Sequence, residues 1–345
     1  MKNRIDSLDY LRGLMALGIM IYHYLSWTYG SYGSDTFLGI IGIYGVSIFY
    51  VLSGLTLYLV YHQKLNLKNT VPFFIKRFFR IYPLLWISIT LTIFLLNKTF
   101  DTKTIFLNIT GAFGFLAPDK YIATGAWSIG NELVFYSFFP IIILIAKKYR
   151  FFIELFFIIS IFIGVYFAFY FLEPGTLREQ WKIYINPFNQ LFLFSGGIFI
   201  AKVIGSYRNT ATGLFLILFI SIVIFFYPVS GDRINLLIGW NRMVFSFLSF
   251  TTTIAFFITS YNIGRWPSFI LKKLGHISYT VYLIHPIVFW YSARFFDRAD
   301  YPGIFLLYTI STTLFISFIV YHLIESRFIT LGRRIVRIRF FKTIM

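Results

Sequence analysis

The chain has 345 residues, 58% of them hydrophobic and 22% aromatic, and its mean hydropathy is +0.75. A soluble domain of this length cannot hide so much apolar surface, so the class is polytopic membrane protein. The net charge of +18 reads in such a chain as basic loops facing anionic lipid, not as nucleic-acid binding, and the absence of cysteine excludes disulfides, cysteine-ligated metals and a cysteine acyl-enzyme.

Lys2 and Arg4 precede an apolar run, as in a signal peptide. Asp6, Asp9 and Arg12 interrupt the run and no small-residue cleavage site follows, so it reads as a retained first span. A crossing needs about 20 mostly apolar residues. Spans are expected near 8–28, 37–61, 81–97, 127–146, 151–172, 188–204, 213–228, 236–261, 277–293 and 303–324. The segment 104–117 is short and broken by glycine, and reads as a half-helix or surface helix. With the N-terminus inside, every inner loop is basic, whereas the outer loops mix Lys and Arg with acids such as Asp101, Asp119, Glu173, Asp232, Asp297 and Asp300. The expected fold is an all-α bundle of about ten transmembrane helices with both termini cytoplasmic. It is one membrane domain over 1–326 followed by a basic tail over 327–345.

The first span, "LDYLRGLMALGIMIYHY", carries Arg12 near its start and His23 near its end. Eleven residues at about 100° each bring the two to within roughly 20° of one face, ~16 Å apart along the axis. Ala16 and Ile19 lie between them, so one cavity wall can carry both, arginine inward and histidine outward. Alone, Arg12 also fits a snorkelling anchor and His23 a hydrogen-bonded helix contact.

Arg77 and Arg80 in "FFIKRFFRIYP" stand at i, i+3, a pairing that suits phosphate and equally an inner-leaflet anchor. "GAWSIGNELVFYSFFP" enters from outside and puts Trp127, Ser128, Asn131 and Glu132 in its first two turns, with Glu132 at the expected depth of His23. A carboxylate there can orient an imidazole, or simply complement the helix dipole. "LGHISYTVYLIHPIVFWY" places His285 at mid-membrane with Tyr282 below it; His285-Pro286 reads as a site or as a kink feature. "IGWNRMVF" brings Trp240, Asn241 and Arg242 to the outer mouth, a set that suits sugars, although Trp is also ordinary at an interface. Gly39, Gly42 and Gly45 at i, i+3 read as close helix packing. There is no P-loop, no nucleophile elbow and no metal-ligand spacing, so neither ATP hydrolysis nor metal catalysis is indicated.

Five of these stretches in this order resemble the membrane acyltransferase-3 family: "SLDYLRGLMALGIMIYHY", "YGVSIFYVLSGL", "KRFFRIYPLLW", "WSIGNELVFY" and "SYTVYLIHP". The resemblance covers nearly the whole chain. It implies transfer of an acyl group from cytoplasmic acyl-coenzyme A to an extracytoplasmic acceptor, often a hydroxyl of O-antigen, capsule or exopolysaccharide. Carried onto this sequence, the family's arginine–histidine pair falls on Arg12 and His23, its Arg-x-x-Arg on Arg77 and Arg80, and its tryptophan–serine–glutamate motif on Trp127, Ser128 and Glu132. Ser47 departs from the acidic or amide residue of many members, and the fused hydrolase-like domain of some members is expected to be absent.

The implied catalytic residues are His23, Glu132 and Arg12; Arg77 and Arg80, with Arg12, are expected to hold the donor's phosphates. Trp127, Ser128, Asn131, Trp240, Asn241, Arg242, Tyr282 and His285 are expected to line the acceptor side. The donor expected is acetyl-CoA, with no metal. The partners are that donor, a surface or lipid-linked glycan, the lipid bilayer and, left open, a second copy of the chain. The location expected is the inner or plasma membrane. An acyltransferase for a non-glycan acceptor, and a transporter or flippase of glycan precursors, are the alternatives; inverted repeats that a transporter would show are not visible.

Overall fold

The computed structural model describes residues 5–260, 263–296, 298 and 300–341, with side chains through 338. Lys2, Arg4, Asp297, Lys342 and the side chain of Arg339, all counted in the charge pattern above, lie outside the described residues. The described residues form helices and no strand. In chain order the helices are α1 (Asp6–Tyr29), α2 (Phe37–Tyr61), α3 (Thr70–Leu95), α4 (Thr102–Thr110), α5 (Phe113–Leu116), α6 (Ala126–Lys148), α7 (Phe152–Tyr166), α8 (Trp181–Tyr184), α9 (Pro187–Ile204), α10 (Thr210–Phe226), α11 (Gly239–Ile258), α12 (Arg265–Ser292), α13 (Pro302–Val320) and α14 (Ser326–Phe341). The chain is an α-helical multi-pass membrane protein.

Seven helical stretches among the described residues are long and apolar enough to cross a bilayer: Phe37–Tyr61, Leu67–Leu95, Ala126–Lys148, Phe152–Phe171, Trp181–Ile204, Gly239–Ile258 and Pro302–Ile338. The remaining three expected spans fall on helices that miss that standard for visible reasons. Helix α1 is 24 residues long, but Asp9, Arg12, His23 and its tyrosines dilute its apolar run; in the 28-residue α12 the stretch after Lys273 is diluted by His276, His285, Pro286 and three tyrosines. Helix α10 is apolar but only 17 residues long. The segment expected as a half-helix becomes two short helices, α4 and α5. The expected tail begins as helix: α14 follows α13 through a π-helical turn, Tyr321–Glu325.

The chain divides into two units. The first comprises Met1–Val60 and Arg150–Ser278; the second comprises Tyr61–Tyr149 and Tyr279–Met345.

Close helix packing in the first unit depends on glycine. A Cβ at Gly42 would meet the Tyr22 ring at 2.5 Å, and one at Gly45 would meet Ile19 at 2.8 Å, so α2 presses its small-residue face onto α1. A Cβ at Gly197 on α9 would run into the Val51 carbonyl oxygen on α2, and one at Gly54 into that of Phe194. The Ser160 and Ser195 hydroxyls, 2.5 Å apart, join α7 to α9. At the N-terminal end of α1, Asp6 pairs with Lys272 at 2.6 Å; hydrogen bonding to that carboxylate holds the ammonium above its ordinary pKa range.

In the second unit α14 lies along α3, with Gly332 against Phe79 and Phe328 stacked on Phe79 at 6.4 Å. Asp101 caps α4, accepting from the Thr104 amide at 2.9 Å and from its hydroxyl at 2.7 Å, which lowers the carboxyl pKa. Asn108, fully buried on α4, then clamps the next loop. Its Nδ2 donates to the Lys120 carbonyl at 2.6 Å and its Oδ1 accepts from the Ile122 amide at 2.9 Å.

Because α2 and α9 meet backbone to backbone, Gly197→Leu is expected to lower stability by roughly 1–3 kcal/mol. Thermal unfolding in detergent measures this. Gly303→Ala, whose methyl would meet nothing within 4 Å, is expected to leave stability unchanged, and equal effects of the two would refute the contact.

Candidate active site

In the first unit, Arg12 is half-buried and held at two points. Its Nη1 lies 3.3 Å from Asp9 Oδ1 one turn earlier, and its Nη2 donates to Thr56 Oγ1 on α2 at 2.9 Å. Thr56 in turn donates to the Leu52 carbonyl at 2.7 Å. Asp9 is itself buried, at 1% exposure, where Gly275 of α12 packs against its backbone. The guanidinium is therefore anchored within the protein by a carboxylate and a hydroxyl, and a snorkelling side chain would have neither.

At the other end of the same helix His23 is half-buried. Its imidazole stacks on Trp27 with centroids 4.9 Å apart and planes 2° from parallel, and Tyr22 stands 5.2 Å away. The indole fixes the plane of the ring. Ala16 and Ile19, between Arg12 and His23, are buried.

Trp240, Asn241 and Arg242, at the start of α11, go to three different environments. Trp240 is 75% exposed and meets the edge of Phe169 at 5.6 Å. Asn241 is engaged internally, accepting from the Tyr227 hydroxyl at 2.8 Å and donating to the Asn235 carbonyl at 2.7 Å. Arg242 is buried. The three side chains thus differ in exposure and in partners.

In the second unit the paired arginines of α3 also differ. Arg77 is surrounded by the rings of Tyr61, Phe73 and Tyr136, with its guanidinium carbon 5.7, 5.9 and 5.8 Å from the three centroids. Arg80 is exposed, yet within electrostatic reach of Glu325, Tyr136, Glu132 and Tyr279. The two residues share a helix face, but the first is a caged cation and the second an accessible one.

The N-terminus of α6 carries the tryptophan–serine–glutamate motif. It starts at Gly125, whose φ of 85° favours glycine. The hydroxyls of Ser128 and Tyr282 both point at the Gly125 carbonyl, at 3.0 and 3.1 Å, and lie 2.9 Å from each other. Two residues expected on the acceptor side thus brace this helix start. Trp127 and Asn131 are buried, and Glu132 is half-buried. One turn on, Gly114 of α5 approaches the Gly130 backbone so closely that a Cβ would clash with its carbonyl oxygen.

His285, 1% exposed, has Nδ1 2.9 Å from the Val281 carbonyl, one turn back on its own helix and just before Pro286.

Glu325 is absent from the expected site and is prominent in the structure. It is 3% exposed, closes the π-helical turn between α13 and α14, and accepts from Thr280 Oγ1 at 2.7 Å. By hydropathy the last span ends at residue 324, so this acid lies just beyond it, at the end of the 1–326 membrane domain, with no role expected. The signal was there: Glu325 is an acid directly beside an otherwise basic segment. Among the described residues no three of His, Asp and Glu are grouped to hold a metal ion.

A family model described as "Acyltransferase domain", of the acyltransferase-3 type, matches residues 5–322. Neither the curated proteins nor the solved structures contain a significant match to the chain.

Thr280→Val removes a donor from the buried Glu325 carboxylate and is expected to cost about 1–3 kcal/mol of stability. Thr280→Ser is expected to restore it. Denaturation in detergent measures both, and a valine variant as stable as wild type would show that the bond carries no weight.

Proposed function

The chain belongs to the acyltransferase-3 family, and from that premise we propose that it transfers an acetyl group from cytoplasmic acetyl-CoA to a hydroxyl of an extracytoplasmic glycan. The observation that carries this reading is the family match over residues 5–322 with the Arg12–His23 pair inside it. The proposed topology has about ten crossings and both termini in the cytoplasm, in the inner or plasma membrane. The glycan is a surface polymer, such as O-antigen, capsule or exopolysaccharide, or its lipid-linked precursor.

The chemistry is exchange of a thioester for an ester. The acceptor oxygen bonds to the acyl carbon, the carbon–sulfur bond breaks, and the hydroxyl proton passes through a base to the leaving thiolate. His23 is the base, with a ring plane set by Trp27. Glu132 is assigned, by resemblance alone, to orienting or polarising that imidazole. A thioester is activated enough that positioning and base catalysis suffice. An acyl-histidine relay uses the same residue as nucleophile instead. Ser128 is a poorer carrier than His23, because its hydroxyl is already engaged with the Gly125 carbonyl and the Tyr282 hydroxyl.

Arg80 is assigned to the donor's phosphates, since it is the accessible member of the Arg77–Arg80 pair. Arg77, held among three rings, supports the same face as a fixed positive charge.

Mass spectrometry of surface glycan from cells with and without the chain is expected to differ by one acetyl group per modified sugar. His23→Ala and Glu132→Ala should each abolish that difference while the protein still inserts in the membrane. Wild-type acetylation by His23→Ala would refute the mechanism. An unchanged glycan in the presence of abundant folded protein would refute the acceptor.

Arg80→Gln is expected to raise KM for acetyl-CoA by roughly 10- to 100-fold, the loss of one charge-assisted hydrogen bond. Steady-state kinetics in proteoliposomes measures it, and an unchanged KM would remove Arg80 from the donor site.

A further inference from the structure

Arg242 lies in the first turn of α11, within the first unit, and is 2% exposed. Its Nη2 donates to the Asn189 carbonyl at 2.8 Å, and its guanidinium carbon sits 5.4 Å from the Phe192 ring centroid. Its Nε and Nη1 are buried without a hydrogen-bond acceptor, and so is Asn189 Oδ1 without a donor. The groups acting electrostatically on the cation are the phenols of Tyr44 and Tyr184. No carboxylate is among them. The Tyr44 hydroxyl is committed to the Leu236 carbonyl at 2.6 Å and to the Ser246 side chain, and Asn189 Nδ2 to the carbonyls of Ile183 and Tyr184.

An arginine does not escape burial by losing its proton, so a buried guanidinium needs a counter-charge. Its position sharpens the need. Helix α11 has 20 residues and its N-cap, Ile238, provides no side-chain cap, so the positive end of the helix dipole lies at the same place. Cation and helix end both call for negative charge, and no carboxylate among the described residues acts electrostatically on the cation.

We propose that Arg242 and Asn189 form a binding site for a hydroxyl-bearing oxyanion. The anionic oxygens, of a carboxylate or a phosphate, accept from Nε and Nη1. A hydroxyl of the same molecule donates to Asn189 Oδ1. Two sources present this chemistry: an acidic sugar unit and a glycerophosphate lipid headgroup. His23, Glu132, Arg77 and Arg80, to which acyl transfer is assigned, contribute nothing to this site, although the sequence alone also expects Arg242 on the acceptor side.

The full chain in nanodiscs of neutral phosphatidylcholine is titrated with glucuronate, with inorganic phosphate and with uncharged glucose, and its thermal unfolding is followed. A parallel series adds phosphatidylglycerol to the disc. A saturable rise in unfolding temperature is expected with at least one oxyanion and not with glucose. Glucuronate as the effective probe identifies the sugar source, and phosphatidylglycerol identifies the lipid. Arg242→Gln is expected to lose the response. Ser246→Asp, which puts a carboxylate one turn further along the same helix, is expected to fold and to lose the response by supplying the counter-charge internally. His23→Ala is expected to keep the full response, which separates this site from failure of the acyl-transfer reading. A wild-type protein indifferent to all the oxyanions, or an undiminished response in Arg242→Gln or Ser246→Asp, overturns the proposal.

Discussion

A charge inside an apolar helix bundle has to find its partner within the protein or in what the protein binds, because the hydrocarbon offers none. The helices of this chain are arranged around that constraint. Arg12 is answered by Asp9 and Thr56, Arg77 by three aromatic rings, and Glu325 by Thr280. Each solution differs in chemistry and in what it leaves free. A guanidinium between a carboxylate and a hydroxyl is fixed in direction. A guanidinium among rings keeps its N–H edges for something else.

Rigid supports surround the residues assigned to chemistry. His23 lies against Trp27 on a helix whose buried face is locked by Gly42 and Gly45. The α6 start is braced by Ser128 and Tyr282 and by the α5 glycine contact. Aromatic stacking and backbone-to-backbone contact leave little room for rotamer exchange, and reacting groups need that restraint.

The hydrophobic pattern made the helical class plain from sequence, and it located most of the long helices to within a few residues. The glycine spacing of α2 correctly indicated close packing onto a neighbour. Periodicity also identified Arg12 and His23 as residues of one face, since both stand on a single uninterrupted helix. Partnership was harder to read. Nothing in the order of residues says that Ser128 and Tyr282, 154 positions apart, meet over one carbonyl. Nor does it say that Trp240, Asn241 and Arg242 diverge, since the direction of each side chain is set by helices elsewhere in the chain. Glu325 escaped for a different reason. A hydropathy ruler places span ends by composition, and it is blind to a buried acid beyond the last apolar residue.

The π-helical turn at Tyr321–Glu325 changes the phase of the last helical rod. Above the turn the buried stripe runs Thr309, Thr313, Ser317. Continued at about 3.6 residues per turn, it would arrive near residues 324, 328, 331 and 335. The buried positions below the turn are instead Glu325, Gly332 and Val336. The stripe has slipped by about one residue, as a π turn produces when it accommodates one residue more than an α turn. Without that slip Ile324 would occupy the inward position and the acid would face outward. The presence of a buried acid on this helix is therefore set by chain length as much as by residue type, and the glycine that lets α14 lie flat on α3 is brought into register by the same extra residue.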